Sequence, residues 1–82
     1  MQFIVTIQLQ PGQKNQAVET FELRGPSRYP SVKFENAWIS KHHDVIYVLV
    51  ESVDEAHVTN ACSAWDNFGR HTIDPVTSFE QF

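Results

Sequence analysis

Asp44-Val45-Ile46-Tyr47-Val48-Leu49-Val50-Glu51 is the longest unbroken run of strand-forming residues in the chain. Six apolar or aromatic side chains follow one another, most of them β-branched, with no polar position to face water. Such a run reads as a strand buried on both faces, in the middle of a sheet. It is too short for a helix with an apolar surface all round. The rest of the chain can be placed by asking which segment lies beside this strand and which covers it.

Upstream, His42-His43 separates the central run from a second strand-like segment, Lys33 to Lys41, which carries Phe34, Ala37, Trp38 and Ile39. This segment is more polar, as an edge strand is. A connection this short demands a hairpin, so the two strands are antiparallel neighbours. With a loop of two or four residues, Lys41 faces Asp44 and Trp38 faces Tyr47. Asn36, Trp38 and Tyr47 then share one sheet face, and Ala37, Ile39, Ile46 and Val48 share the other.

Downstream, Ser52-Val53-Asp54-Glu55 reads as a capping box, with Ser52 as the cap and Glu55 reaching back. The helix that follows shows Val58, Ala61, Cys62, Trp65 and Phe68 at spacings of three and four, and Gly69 is placed to end it. Arg70 to Thr77 contains Ile73 and Val76 but also Pro75, so it is an edge strand.

At the start of the chain, Phe3, Val5, Ile7 and Leu9 alternate with Ile4, Thr6 and Gln8, a strand with one richly apolar face. Pro11-Gly12 stops it. Ala17, Val18 and Phe21 then form the stripe of a short amphipathic helix that ends before Gly25-Pro26. Residues 24–32, Arg-Gly-Pro-Ser-Arg-Tyr-Pro-Ser-Val, form a loop, because two prolines and a glycine exclude a regular element.

The order is β-α-β-β-α-β. Right-handed crossovers and two edge strands leave one economical topology, an α+β ferredoxin-like sandwich over residues 1–82 with antiparallel sheet order 4-1-3-2. Both helices cover one face. The other face has no cover, yet the central strand is apolar on both sides. An exposed apolar face of that size implies a partner, and the simplest partner is a second copy.

Composition bounds the rest. Eighty-two residues form one domain, which buries only about 60% of its unfolded surface and gains from oligomerisation. The apolar fraction of 41% and the ten aromatics suit a globular core rather than disorder. Cys62 is the single cysteine, so no internal disulfide forms. Met1 to Ile7 lacks the basic start of a signal peptide. No run reaches the ~18 apolar residues of a membrane helix. The expectation is a soluble cytoplasmic protein that does not engage membranes. A net charge of −4 argues against a nucleic-acid partner.

No grouping of residues announces chemistry. His42 and His43 are adjacent and point apart. His57 and Cys62, five apart on a helix, lie about 140° from one another. Neither pair chelates, so no metal site is expected. Cys62 sits on an apolar stripe and reads as a small core residue. With three glycines and no phosphate loop, no cofactor is expected.

Two features remain. A buried Asn36 beside Trp38 and Tyr47 offers amide, indole and hydroxyl groups over an apolar floor, the make-up of a small-molecule pocket. The plainer reading is that Trp38 and Tyr47 pack a small core or a dimer seam. Between Glu22 and Glu35 there is no acid, while Arg24, Arg28 and Lys33 all fall there. That stretch is either a solvated basic loop or an anion site in which Arg24, Arg28 and Tyr29 rim the pocket.

Leu23-Arg24-Gly25-Pro26-Ser27-Arg28, Val32-Lys33-Phe34 and Ala37-Trp38-Ile39 resemble the bacterial family called domain of unknown function 3303. So do Val48-Leu49-Val50-Glu51-Ser52, Asp54-Glu55, Ala61-Cys62, Trp65 and Phe68-Gly69. The resemblance implies the fold of the dimeric α+β barrel superfamily, which includes cofactor-free monooxygenases. It assigns no catalytic residue. Two functions follow as expectations. One is a homodimeric binding or interaction module, taking a small anionic or aromatic ligand. The alternative is a cofactor-free enzyme acting on an aromatic or phenolic substrate, with His71, Asn36 and Tyr47 as candidates for proton acceptor.

Overall fold

The computed structural model describes residues 1–23, 31–63 and 66–82, with the backbone alone for 21–23. The order is β1 (Gln2–Leu9), α1 (Lys14–Leu23), β2 (Val32–Ile39), β3 (Val45–Ser52), α2 (Glu55–Cys62) and β4 (Gly69–Val76), followed by a 3₁₀ turn at Phe79–Gln81. The four strands form one sheet in the order β2-β3-β1-β4, antiparallel throughout. Read from the other edge this is the expected 4-1-3-2, and the fold is ferredoxin-like.

The core lies between the sheet and the two helices. Phe3, Val5, Ile7 and Leu9 from β1 meet Ile46, Val48 and Val50 from β3, with Val32 from β2. Ala17 of α1 and Val58, Ala61 and Cys62 of α2 close over them, each 6% exposed or less. Pro11 and Gly12 turn the chain between β1 and α1. Gly12 takes φ +84°, the left-handed region that glycine enters without steric cost.

The β2–β3 hairpin closes with Ser40 N–H donating to Val45 C=O at 2.9 Å. Its loop is therefore the four residues Lys41–Asp44. Ser40 Oγ accepts from the N–H groups of His42 and His43 at 3.3 and 3.0 Å, so a serine turn shapes it. Lys14 of α1 donates to Ser40 C=O at 2.6 Å and ties the helix to the hairpin. β2 ends at Ile39 rather than Lys41 because this loop takes over. Within β2, Phe34 pairs with Val50 and Asn36 with Leu49, so Glu35 is the extra residue of a bulge. The bulge lets both Phe34 and Ala37 pack towards the core.

Three local expectations are corrected. Asp54, not Ser52, caps α2: its carboxylate accepts from His57 N–H at 2.9 Å. Ser52 is instead the last residue of β3, 6% exposed, and its hydroxyl donates to Ser31 C=O at 3.0 Å. α2 stops at Cys62, so Phe68 lies in the turn before β4 and packs on the core from there. Gly69 opens β4 rather than ending a helix. A Cβ there would stand 1.9 Å from Gln8 O, so this strand approach demands glycine. Trp65 lies outside the described residues. Pro75 is on an edge strand, as expected.

Candidate functional site

The face away from the helices carries the aromatic pair. Cross-strand register sets its rows. Trp38, Tyr47, Thr6 and Thr72 form one row across β2, β3, β1 and β4. Asn36, Leu49, Ile4 and Asp74 form the next, and Lys33, Glu51, Gln2 and Val76 the one beyond it. No described element covers these rows. Trp38, on the edge strand β2, is 49% exposed, and Tyr47, on the inner strand β3, is 40% exposed, a high value for a large aromatic side chain in the middle of a sheet. Leu49 and Ile4 are half-buried beside them.

The pairing of Trp38 with Tyr47 follows from the four-residue loop and brings both to one face with Asn36, while Ala37, Ile39, Ile46 and Val48 take the other. Asn36 is exposed rather than buried, because the sheet has no second layer on this side. Its Oδ1 accepts from Ala37 N–H at 2.8 Å, just past the bulge. The amide NH₂ has no partner among the described residues. Gln2 Nε2 donates to Glu35 Oε2 at 2.7 Å, a polar link from β1 to the bulge at one end of the face. Charges sit round the margin: Lys33 and Glu35 on β2, Glu51 at the end of β3, Arg70 and Asp74 on β4. The middle is neutral.

Arg24, Arg28 and Tyr29 lie outside the described residues. His71 is not with the aromatic pair. It lies opposite Ile7, on the helix face of β4, and hydrogen-bonds through Nδ1 with Asp66 Oδ1 at 2.9 Å. Strand parity therefore separates it from Tyr47 by the thickness of the sheet. Cys62 is buried, and burial pushes its thiol up to about 11, with the nearby Asp66 charge adding to this. It stays a neutral thiol.

Three concavities lie on or beside the sheet. One of about 150 Å³, lined by Trp38 with Val18, Ala37, Ile39 and Ile46, opens at the β2 edge towards the helix side rather than on this face. It is almost wholly apolar but smaller than the about 300 Å³ at which ligand sites begin. A second, about 380 Å³, is lined by Thr6, Gln8, Arg70, His71 and Thr72. The third, about 710 Å³, lies at the end of the face between Gln2, Glu51 and Val76 and the segment after β4. The described residues of one chain thus do not enclose a site at the aromatic pair. Ile4, Thr6, Leu49 and Arg70 complete the face. Leu49 follows from the parity of β3 alone, but the membership of Ile4, Thr6 and Arg70 depends on long-range register between β1, β3 and β4, which no local pattern announces.

The family model for a domain of unknown function, DUF3303, matches residues 1–82. The chain belongs to this family. DUF3303 is thus represented here by a ferredoxin-like α+β domain. Among solved structures, this DUF3303 chain is similar to an uncharacterized NIPSNAP domain protein from Burkholderia xenovorans. That pair has a TM-score of 0.57 and 11% identity, covering 95% of each chain. It is also similar to a provisionally assigned antibiotic biosynthesis monooxygenase from Chloroflexus aurantiacus J-10-fl, with a TM-score of 0.55 and 20% identity over 94% of this chain and 93% of that one. At these identities the likeness carries the fold alone. No curated protein matches the DUF3303 chain.

Proposed function

We propose that the domain works as a homodimer whose open sheet faces pack together, and that a small aromatic or anionic ligand binds where the Trp38–Tyr47 row meets the partner sheet. The observation that carries this is the exposure of Trp38 and Tyr47 on a face that no described element covers. Two half-exposed aromatics over Leu49 and Ile4 are costly to leave in water. Burying apolar surface contributes about 25 cal/mol per Å². A second sheet about 10 Å away would remove that surface from water and turn an open floor into an enclosed one. Asn36 would then present its unpartnered NH₂ to an acceptor on the ligand. Arg70, with no ion pair among the described residues, is the described guanidinium able to meet a carboxylate. The single, buried Cys62 fits a cytoplasmic setting.

The oxygenase reading draws support from the name of the Chloroflexus structure. It needs a proton acceptor beside the aromatic pair. His71 lies on the other side of the sheet, and Asp74 sits at the far β4 edge of the face. An amide such as Asn36 and a phenol such as Tyr47 are not bases at neutral pH. The binding module is the better reading. Tryptophan fluorescence of the protein titrated with aromatic carboxylates tests it. Quenching that Trp38→Phe abolishes and Arg70→Ala weakens, more so at low salt, supports the site. Binding indifferent to both substitutions places the ligand elsewhere. Oxygen uptake with phenols would favour the enzyme.

A further inference from the structure

We propose that the segment after β4, Thr77–Phe82, is an arm that packs Phe79 and Phe82 onto the second copy of the chain. This rests on the face-to-face dimer and says what completes it.

Phe79 is 97% exposed and Phe82 92%, more than any other large hydrophobic side chain among the described residues. The segment holding them is ordered as a turn. Ser78 caps it, with its Oγ accepting from Gln81 N–H at 3.2 Å and its carbonyl accepting from the same N–H at 3.1 Å. Phe79 opens the 3₁₀ turn and Phe82 follows directly after it, so two phenylalanines are held within four residues. Neither ring folds back on its own domain. A space of about 710 Å³ remains between Thr77 and Gln81 on one side and Met1, Gln2, Glu51 and Val76 on the other. Nor does the domain's own core need the two rings, because the helix face is already closed by Ala17, Val58, Ala61 and Cys62.

Area points to a second copy as the occupant. The open face is a patch four strands wide and eight residues long. A stable interface takes about 800 Å² of accessible surface from each partner. An aromatic side chain buries about 150–250 Å², so two phenylalanines from each arm are a large share of that requirement. In a two-fold dimer the contact is made twice.

The test is sedimentation equilibrium of the whole chain beside two variants, Phe79→Ala/Phe82→Ala and Tyr47→Lys, with circular dichroism and Cys62 protection from thiol reagent as folding controls. The proposal expects both variants to stay folded. It expects the double alanine variant to dimerise roughly 100-fold more weakly, the scale of losing buried aromatic contacts at an interface. If Tyr47→Lys breaks the dimer while the double alanine variant associates like the parent, the arm proposal is overturned and the face-to-face reading stands. If the parent chain is a monomer, both are overturned. An isotope-filtered nuclear Overhauser experiment on mixed labelled and unlabelled copies adds a direct readout. Contacts from the Phe79 ring to the methyls of Ile4 or Leu49 in the other copy support the arm. Contacts to its own copy alone overturn it.

Discussion

The two faces of β3 are made of nearly the same residues and meet different fates. On one face Ile46, Val48 and Val50 are 5%, 2% and 1% exposed. On the other, Val45 at the hairpin end is buried, but Tyr47 in the middle is 40% exposed and Leu49 half-buried, although both are large. Nothing in the local sequence separates them. The difference is the layer above: Ala17, Val58 and Ala61 cover the first face, and no described element covers the second. An apolar run in a strand therefore predicts that both faces are covered in the working molecule, but not that one chain supplies both covers.

The largest way to break this comparison is to empty the covered face. Phe3 is 1% exposed, and Phe3→Ala should lower unfolding free energy by about 3–5 kcal/mol. For a domain this small that loss approaches the whole margin. Urea denaturation followed by circular dichroism measures it. A parent-like midpoint would mean that the helix face is not the core.

Gly69→Ala comes next. Its new Cβ would collide with the backbone of Gln8, and such a clash yields only by moving β4 away from β1. The expected loss is about 1–3 kcal/mol, as for other overpacked sites, read by thermal melting. An unchanged melt would mean that the two strands are less closely joined than the register requires.

How much was legible beforehand follows the same division between local and long-range. Hairpin parity was legible, because a four-residue loop and a side-chain period of two place Trp38 opposite Tyr47. Sheet order was legible from the apolar run and from Pro75. The cap of α2 is ambiguous in the sequence, because Ser52 and Asp54 are both cap residues and Ser52 is followed by Glu55 at capping-box spacing. What decides is tertiary: Ser52 is drawn into the sheet by its pairing with Val32 and its bond to Ser31. The face that His71 takes is not legible, because it depends on the register of β4 with β1, which no local pattern carries. The bulge at Glu35 has no glycine to announce it. The arm was unread because exposure of Phe79 and Phe82 is a property of the folded chain.

Two smaller effects sharpen the comparison through titration. The Cys62 thiol is pushed up to about 11 by its place under the helix face. A folded-state value raised above the unfolded one gives stability that is fully present below about 8.5. That stability is lost as pH rises towards 11. Cys62→Ala should flatten the alkaline limb of a stability profile from pH 8 to 11. A parent-like slope would mean that the thiol is not buried.

Asp54 gives the opposite and weaker case. The backbone N–H of His57, and then its ring, hold the exposed carboxylate below its ordinary value. Its stabilisation is present above the unfolded value of about 3.9 and is lost as pH falls through the lower folded one. Asp54→Asn keeps a capping oxygen but no titration, so the acid limb of α2 helicity should flatten. An identical acid limb in both proteins would move the cap elsewhere.

The comparison rests in the end on what covers the second face, and the mass of the particle in solution tests that most directly. Sedimentation equilibrium at micromolar concentration should give about twice the 9.4 kDa chain mass, falling to the chain mass when Tyr47→Lys places a charge in the middle of the face. A parent protein that sediments as a single chain at every concentration up to the millimolar range would contradict the account, because Trp38 and Tyr47 would then stay in water with nothing to cover them.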